Sequence, residues 1–423
     1  MNKIKNDKRS IIFYGVSENA KRKFSKWVSE GLVPECFADA DTNKHYTEFE
    51  GIEILPLNEA VNRYPDYSIC ITHLPQRMLA IRNYLIEKGI PAERIVTAEP
   101  YEYRKGCSWM GKVLVLTDTK VTTCCTTYQF RNIEQTGVIE TDFKNYTEYC
   151  QNMLNRWRKN EPTHCDNCNC LKVDYWEFKP ELTTINIATS REDDCNFRCS
   201  YCIVNNYSKG YFVDITREEH SKRHEYVLSV MRFFQNVSPN IAILYNAGEI
   251  TISPYCDELI NFWRENKMNV ILFSNMSVYK TNLTEASCKG NISVLTSLDA
   301  GTPETFTKIK RIDCFDKVVG NLKRFSDGGG KIILKFIMLP GINDNKKDID
   351  GFFDIAKQVN ASIRFANDTE DFKKAVSENT LEMSIYFVNK CYERGFPRLG
   401  LFAHNISPNT AVILQERINE LWG

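Results

Sequence analysis

From residue 183 to residue 366, short apolar and β-branched runs recur with room for a helix between neighbours. The runs are Thr183 to Thr189, Ile241 to Tyr245, Asn269 to Ser274, Ile292 to Ser297, Ile332 to Met338 and Ala361 to Ala366. After the first, Thr216-Arg217-Glu218-Glu219 reads as a capping box opening a helix with Tyr226, Val227, Val230, Met231 and Phe234 on one face. Thr302 and Pro303 predict an N-cap and first turn after the fourth. Regular alternation of strand and helix signals predicts an α/β domain built on a parallel sheet. Lys335 interrupts the fifth run; a lysine there is costly unless paired, so it is expected to line an interior or reach a rim. The sixth carries Arg364, whose side the alternation leaves open. Residues 406–422, with Ser407-Pro408 at the start and Val412, Ile413, Ile418 and Leu421 on one stripe, predict a closing helix.

The first hundred residues alternate in the same way. Ile11 to Tyr14 reads as a strand, Gly15 to Ala20 as a turn into a helix, Val33 to Ala38 as a strand ending near Asp39 and Asp41, and Tyr67 to Thr72 as a later strand. A small doubly wound sheet follows. Of the phosphate fingerprint G-x-G-x-x-G only Gly15 remains, with Ser17 and Ala20 at the other positions, so tight dinucleotide binding is not indicated.

Composition narrows the function classes. Lys plus Arg and Asp plus Glu both number 54, leaving no basic excess to grip a phosphate backbone, so nucleic acid is not expected as a partner. Neither a signal peptide nor an apolar run of about 18 residues is present, so a cytoplasmic protein with no membrane partner is expected. Sixteen cysteines in such a chain point to metal rather than disulfides.

The most specific chemistry is Asp194-Cys195-Asn196-Phe197-Arg198-Cys199-Ser200-Tyr201-Cys202. Three thiolates can hold three irons of a 4Fe-4S cluster, leaving the fourth iron to ligate a small molecule. This spacing, with an aromatic residue before the last cysteine, resembles that of the radical S-adenosylmethionine (SAM) enzymes. The resemblance implies a partial (β/α)6 barrel with the cluster at the C-terminal end of its first strand, where barrel enzymes keep their sites. It implies that SAM chelates the open iron and is cleaved by one electron to methionine and a 5'-deoxyadenosyl radical, which takes hydrogen from a substrate carbon. Asn246-Ala247-Gly248-Glu249 is similar to the family's Gly-Gly-Glu stretch that receives the SAM amino group; Ser297-Leu298-Asp299-Ala300 resembles its fourth-strand motif, and Pro340 to Asp344 the loop after its fifth strand. By resemblance, Gly248, Glu249, Ser297, Asp299 and Lys335 hold SAM, and Cys195, Cys199 and Cys202 the cluster.

A second cysteine set precedes the barrel: Cys107, a hairpin, Cys124-Cys125, then Cys165-Asp166-Asn167-Cys168-Asn169-Cys170. The hairpin is expected to bring Cys107 near Cys124, and Cys165 and Cys168 complete four soft ligands, with Cys125 and Cys170 as substitutes. The arrangement is similar to the SPASM or twitch auxiliary iron-sulfur module, which follows the barrel in most relatives; a zinc ribbon is the alternative. Residues 1–100 resemble Rossmann-like domains of sugar-modifying and acyl-transferring enzymes. Together these imply a Rossmann-like domain (1–100), an auxiliary-cluster module (101–175), a radical SAM barrel (176–396) and a helical tail (397–423). The implied activity is oxidation or epimerisation of a sugar or nucleotide-sugar, with a reductant such as flavodoxin or ferredoxin. The alternatives are a maturase forming a thioether or C-C crosslink in a peptide precursor, and a non-enzymatic iron-sulfur electron carrier or scaffold. His220 and His224 are read as a solvated helix face, and Cys150, Cys256, Cys288, Cys314 and Cys391 as packed thiols.

Overall fold

The computed structural model describes residues 9–73, 77–98, 101–117, 120–124, 132–166, 168, 170–188, 195–202, 217–238, 240–246, 248–367, 376–401 and 406–422. Contacts divide the chain into two compact units, Met1–Met110 with Gln151–Glu181, and Gly111–Cys150 with Leu182–Gly423. Residues 101–110 and 151–181 thus belong with the N-terminal sheet, and 111–150 with the barrel strands.

In the first unit the elements run β1 (Ser10–Tyr14), α1 (Glu18–Ser29), β2 (Cys36–Ala38), β3 (Glu48–Phe49), β4 (Ile52–Leu55), α2 (Leu57–Arg63), β5 (Tyr67–Ile71), α3 (Met78–Glu87) and β6 (Ile95–Thr97). They form one sheet in the order β3-β4-β2-β1-β5-β6, parallel except for β3. Because side chains alternate along a strand, β1 feeds two cores: Ile12 and Tyr14 pack with Ile69 and Ile71, and Phe13 with Phe37, Phe24 and Trp27. A separate antiparallel ribbon pairs β7 (Tyr101–Gly106) with β11 (Lys172–Glu177), from Gly106↔Lys172 to Tyr101↔Glu177.

Among the described residues, the second unit is built on one ten-stranded sheet. Its strands are β8 (Val113–Leu116), β9 (Lys120–Thr122), β10 (Asn132–Glu134), β12 (Thr184–Ile187), β13 (Ala242–Tyr245), β14 (Asn269–Phe273), β15 (Ile292–Ser297), β16 (Lys331–Met338), β17 (Ser362–Asn367) and β18 (Gly400–Leu401), in the order β10-β9-β8-β12-β13-β14-β15-β16-β17-β18. All pairings from β8 through β12 to β18 are parallel, and β9 and β10 add antiparallel at the edge. The crossovers are α5 (Arg217–Val237), α6 (Cys256–Glu265), α7 (Thr281–Lys289), α8 (Pro303–Lys310) with α9 (Phe315–Asp327), α10 (Lys346–Gln358) and α11 (Glu378–Glu393), followed by α12 (Pro408–Trp422); α4 (Ile139–Arg158) precedes β11. This is the α/β architecture that the six runs predict, with β8 as an addition: its four residues, all apolar and buried, make a parallel strand beside β12. Parallel register sets Ser297, Lys335 and Arg364 side by side on one face of β15, β16 and β17. Thr302 caps α8 through Thr305 N, as expected, while the Thr216 end of the capping box lies outside the described residues. His224 is buried rather than solvated: its ring stacks on Tyr255 at 3.8 Å and meets Glu258 at 3.0 Å. No helix among the described residues is long and apolar enough to cross a membrane.

Candidate functional site

The cysteine loop follows β12 and is fastened at several points. Phe197 is buried edge-on against Phe306 of α8. The loop amides of Arg198 and Ser200 donate to the carbonyls of Lys310 (3.3 Å) and Ile309 (2.9 Å), so the last turn of α8, whose carbonyls lack helical partners, serves as the loop's seat. Tyr201 packs against Ile309, Ile337, Leu339 and Ala366, and Cys202 N closes a turn on Cys199 O at 3.1 Å. On the other side, Asn196 Nδ2 donates to Ser277 Oγ (2.8 Å) and Asn275 Nδ2 donates to Asn196 Oδ1 (2.8 Å). Cys195, Cys199 and Cys202 are each half-buried within this frame. Burial pushes the Cys195 thiol up to about 11, and the Cys199 thiol is raised by burial against the pull of Lys310.

Asp299, expected to face the cofactor, is fully buried and committed within the protein. Its Oδ2 accepts from Tyr201 OH (2.6 Å) and Lys310 Nζ (2.5 Å), and its Oδ1 from Ile337 N (2.7 Å). The backbone at Asp299 is left-handed, φ 60°. Asn343, in the loop after β16, holds it there by donating to Asp299 O (2.7 Å) and Ile337 O (2.8 Å) while accepting from Leu339 N. Such backbone costs about 1–2 kcal/mol for a side-chain-bearing residue, least for Asp and Asn.

Glu249 is buried after β13. Its Oε1 accepts from Thr251 N (3.1 Å), Thr251 Oγ1 (2.6 Å) and Ser274 Oγ (2.8 Å), and its Oε2 from Asn275 N. Burial raises its carboxyl, while the Thr251, Asn275 and Ser274 donors pull it down. A carboxylate oxygen has two lone-pair sites, so Oε2 keeps capacity for a further donor such as an ammonium. Gly248, at φ 53°, gives the approach to it a backbone with no side chain. Asn275 joins the two halves of the site: its amide serves Glu249, and its Nδ2 lies 3.9 Å from Cys195 Sγ. Sequence reasoning assigned no role to Asn275, Asn196 or Lys310; the Asn directly after the third run was the available signal. Lys335 is half-buried, and burial lowers its ammonium against the opposing pull of Asp299.

No three His, Cys, Asp or Glu side chains among the described residues close on a single-ion site. A cubane asks for something else, one thiolate on each of three irons, and the soft-donor set of Cys195, Cys199 and Cys202 fits it. In the other cysteine set, Cys107 follows β7 and Cys165, Cys168 and Cys170 lead into β11, all in the first unit. The Gly106↔Lys172 register, the Lys105 Nζ to Asp166 Oδ1 contact of 3.1 Å and the turn bonded from Cys168 N to Cys165 O at 2.8 Å bring them to one end of the ribbon. Cys124 is buried after β9 in the second unit, and Cys125 lies outside the described residues.

Residues 193–356 match the Radical SAM superfamily model. GTP 3',8-cyclase of Nautilia profundicola is 27% identical over 198 residues, 46% of this chain and 58% of that protein. The GTP 3',8-cyclase of Photorhabdus laumondii is 28% identical over 156 residues, 36% of this chain and 45% of that protein. The chain thus spans about half the length of the curated relatives it matches. Streptococcus suis SuiB bound to precursor peptide SuiA is similar over 70% of this chain and 72% of its own, with TM-score 0.39 and 14% identity. The strand order of the barrel and the family match over its cysteine loop lead to one conclusion: residues 193–356 carry a radical SAM domain, the domain of enzymes whose cofactors are a 4Fe-4S cluster and SAM.

Proposed function

We propose that Cys195, Cys199 and Cys202 hold the cluster, that Gly248, Glu249, Ser297 and Lys335 hold SAM, and that the enzyme removes a hydrogen atom from carbon of a sugar or nucleotide-sugar substrate. When bound, the cluster and SAM supply the 5'-deoxyadenosyl radical. The residues of the chain fix geometry: Glu249 takes an ammonium at Oε2, and Ser297 and Lys335 stand on the same face of neighbouring strands for a carboxylate or hydroxyl partner. The observation that carries this reading is Asn275, which links the Glu249 carboxylate to the Cys195 loop and so unites the cluster and ammonium sites. The substrate class draws support from the curated relatives, whose names make GTP their substrate, and from Arg364 beside Lys335, a second cation on that face. An external one-electron reductant is required. We further propose an auxiliary 4Fe-4S cluster on Cys107, Cys165 and Cys168 of the first unit, with Cys170 as the fourth ligand. The test is anaerobic incubation of reduced enzyme with SAM carrying a tritiated adenosyl moiety, with candidate sugars, nucleotide-sugars and peptides. Faster 5'-deoxyadenosine formation with a nucleotide-sugar supports the class; stimulation only by peptides refutes it.

A further inference from the structure

The polar group beneath the cysteine loop is poorly explained as a stability device. Lys310 and Asp299 are 2% and 0% exposed and 2.5 Å apart, next to the apolar group Ile309, Ile337, Leu339 and Ala366. Burying an ion pair among such side chains commonly gains nothing over an apolar pair of the same size. A third member, Tyr201, donates to Asp299, accepts from Lys310 at 2.7 Å, and has the Lys310 ammonium 5.0 Å from its ring centre. Tyr201 stands between Cys199 and Cys202 in the chain, and the Lys310 carbonyl also receives Arg198 N, so both ends of the lysine touch the loop.

Resting on the reading that Cys195, Cys199 and Cys202 hold the cluster, we propose that Tyr201, Asp299 and Lys310 form a positioning triad, in which Tyr201 fixes the loop and the Lys310 cation raises the reduction potential of the cluster. Lys310 meets the loop on both sides of its cysteines, its carbonyl accepting from Arg198 N next to Cys199 and its ammonium donating to Tyr201 OH next to Cys202. A cluster gains negative charge on reduction, and net charge close to it is one of the levers on its potential. A buried cation bonded to the cysteine loop favours the reduced, more negative form. Asp299 is the counter-ion of that cation in an apolar setting and, through Ile337 N and the Asn343 bracket, ties it to the barrel wall. The left-handed backbone of Asp299 is the conformation in which its carboxylate meets all three donors.

The experiment is an EPR-monitored redox titration of anaerobically reconstituted full-length protein, following the cluster whose signal changes when SAM is added. Lys310→Met is expected to shift its midpoint to a more negative value. Because that variant leaves Asp299 buried without its cation, at a cost to folding, the Asp299→Asn/Lys310→Met double variant, which removes both charges, is measured beside it and is expected to shift the same way. Tyr201→Phe keeps the ion pair and is expected to hold the midpoint while losing iron faster to a chelator. A folded double variant with wild-type iron content and a wild-type midpoint overturns the proposal. Wild-type protein that takes up no SAM-responsive cluster would instead overturn the reading on which the proposal rests.

Discussion

Two strand ends among the described residues invite a ligand, and the chain furnishes them differently. At the carboxyl end of β1, Gly15 at φ 96° turns the chain into α1, the place where doubly wound sheets bind phosphates. Here the chain occupies it: a Cβ on Gly15 would lie 1.8 Å from the His73 ring, Val16 N is spent on Asp39 Oδ2 (2.8 Å), Lys44 also engages Asp39, and Ser17 and Asn19 donate to Thr72 O. At the carboxyl end of the barrel strands, the fastenings fall on Asn196, Phe197, Arg198, Ser200 and Tyr201, the three cysteines lie half-buried among them, and Glu249 Oε2 can accept one further hydrogen bond. A shared fold class therefore says little about function; what decides is which side chains the chain places at the strand ends.

The sharpest way to break this contrast is to remove the three cysteines. Cys195→Ala/Cys199→Ala/Cys202→Ala is expected to abolish SAM cleavage and to remove about half of roughly eight irons per chain, the rest remaining in the auxiliary site. Iron and sulfide assays decide it, and loss of all iron would show that the second cysteine set holds no cluster of its own.

Filling the β1 end further should damage folding and not chemistry. Gly15→Ala places a methyl group on His73 in left-handed backbone, and is expected to cost about 2 to 3 kcal/mol of stability in the N-terminal sheet. Chemical denaturation reads the loss, with SAM cleavage per folded chain unchanged. A comparable drop in cleavage would show that this turn takes part in the reaction.

Glu249→Ala should weaken SAM binding by about 1.5 to 3 kcal/mol, the range for a hydrogen bond to a charged group, on the order of ten- to a hundred-fold in Kd. Calorimetry on reconstituted protein measures it, and unchanged affinity would remove Glu249 from the site. The smallest effect is expected at Ser17, whose hydroxyl caps α1 at Ala20 N. Ser17→Ala should cost about 1 kcal/mol and leave SAM affinity alone.

Much of the barrel was legible because its signals are local. The six runs fall on β12 to β17, Thr302-Pro303 opens α8, and residues 408–422 form α12. The cysteine loop was legible for the same reason, being one stretch of eight residues from Cys195 to Cys202. What escaped reading depends on contacts across the chain. Tyr201 meets Asp299 and Lys310 across separations of 98 and 109 residues, and nothing near Asp299 in sequence says that a buried lysine will claim its carboxylate. His224 looked solvated because its own helix is polar; the ring that covers it, Tyr255, comes from the next crossover. β8 read as one arm of a hairpin, which it is with β9, but its parallel partner β12 lies beyond α4 and β11 in the chain.

The measurement that bears most directly on the central claim is the fate of SAM itself. Anaerobically reconstituted protein, reduced and mixed with SAM, is expected to form methionine and 5'-deoxyadenosine in equal amounts, slowly without substrate, and the triple cysteine variant is expected to form neither. Wild-type protein that carries iron yet leaves SAM intact under reducing conditions, or a triple variant that cleaves it as well as wild type, would contradict the account.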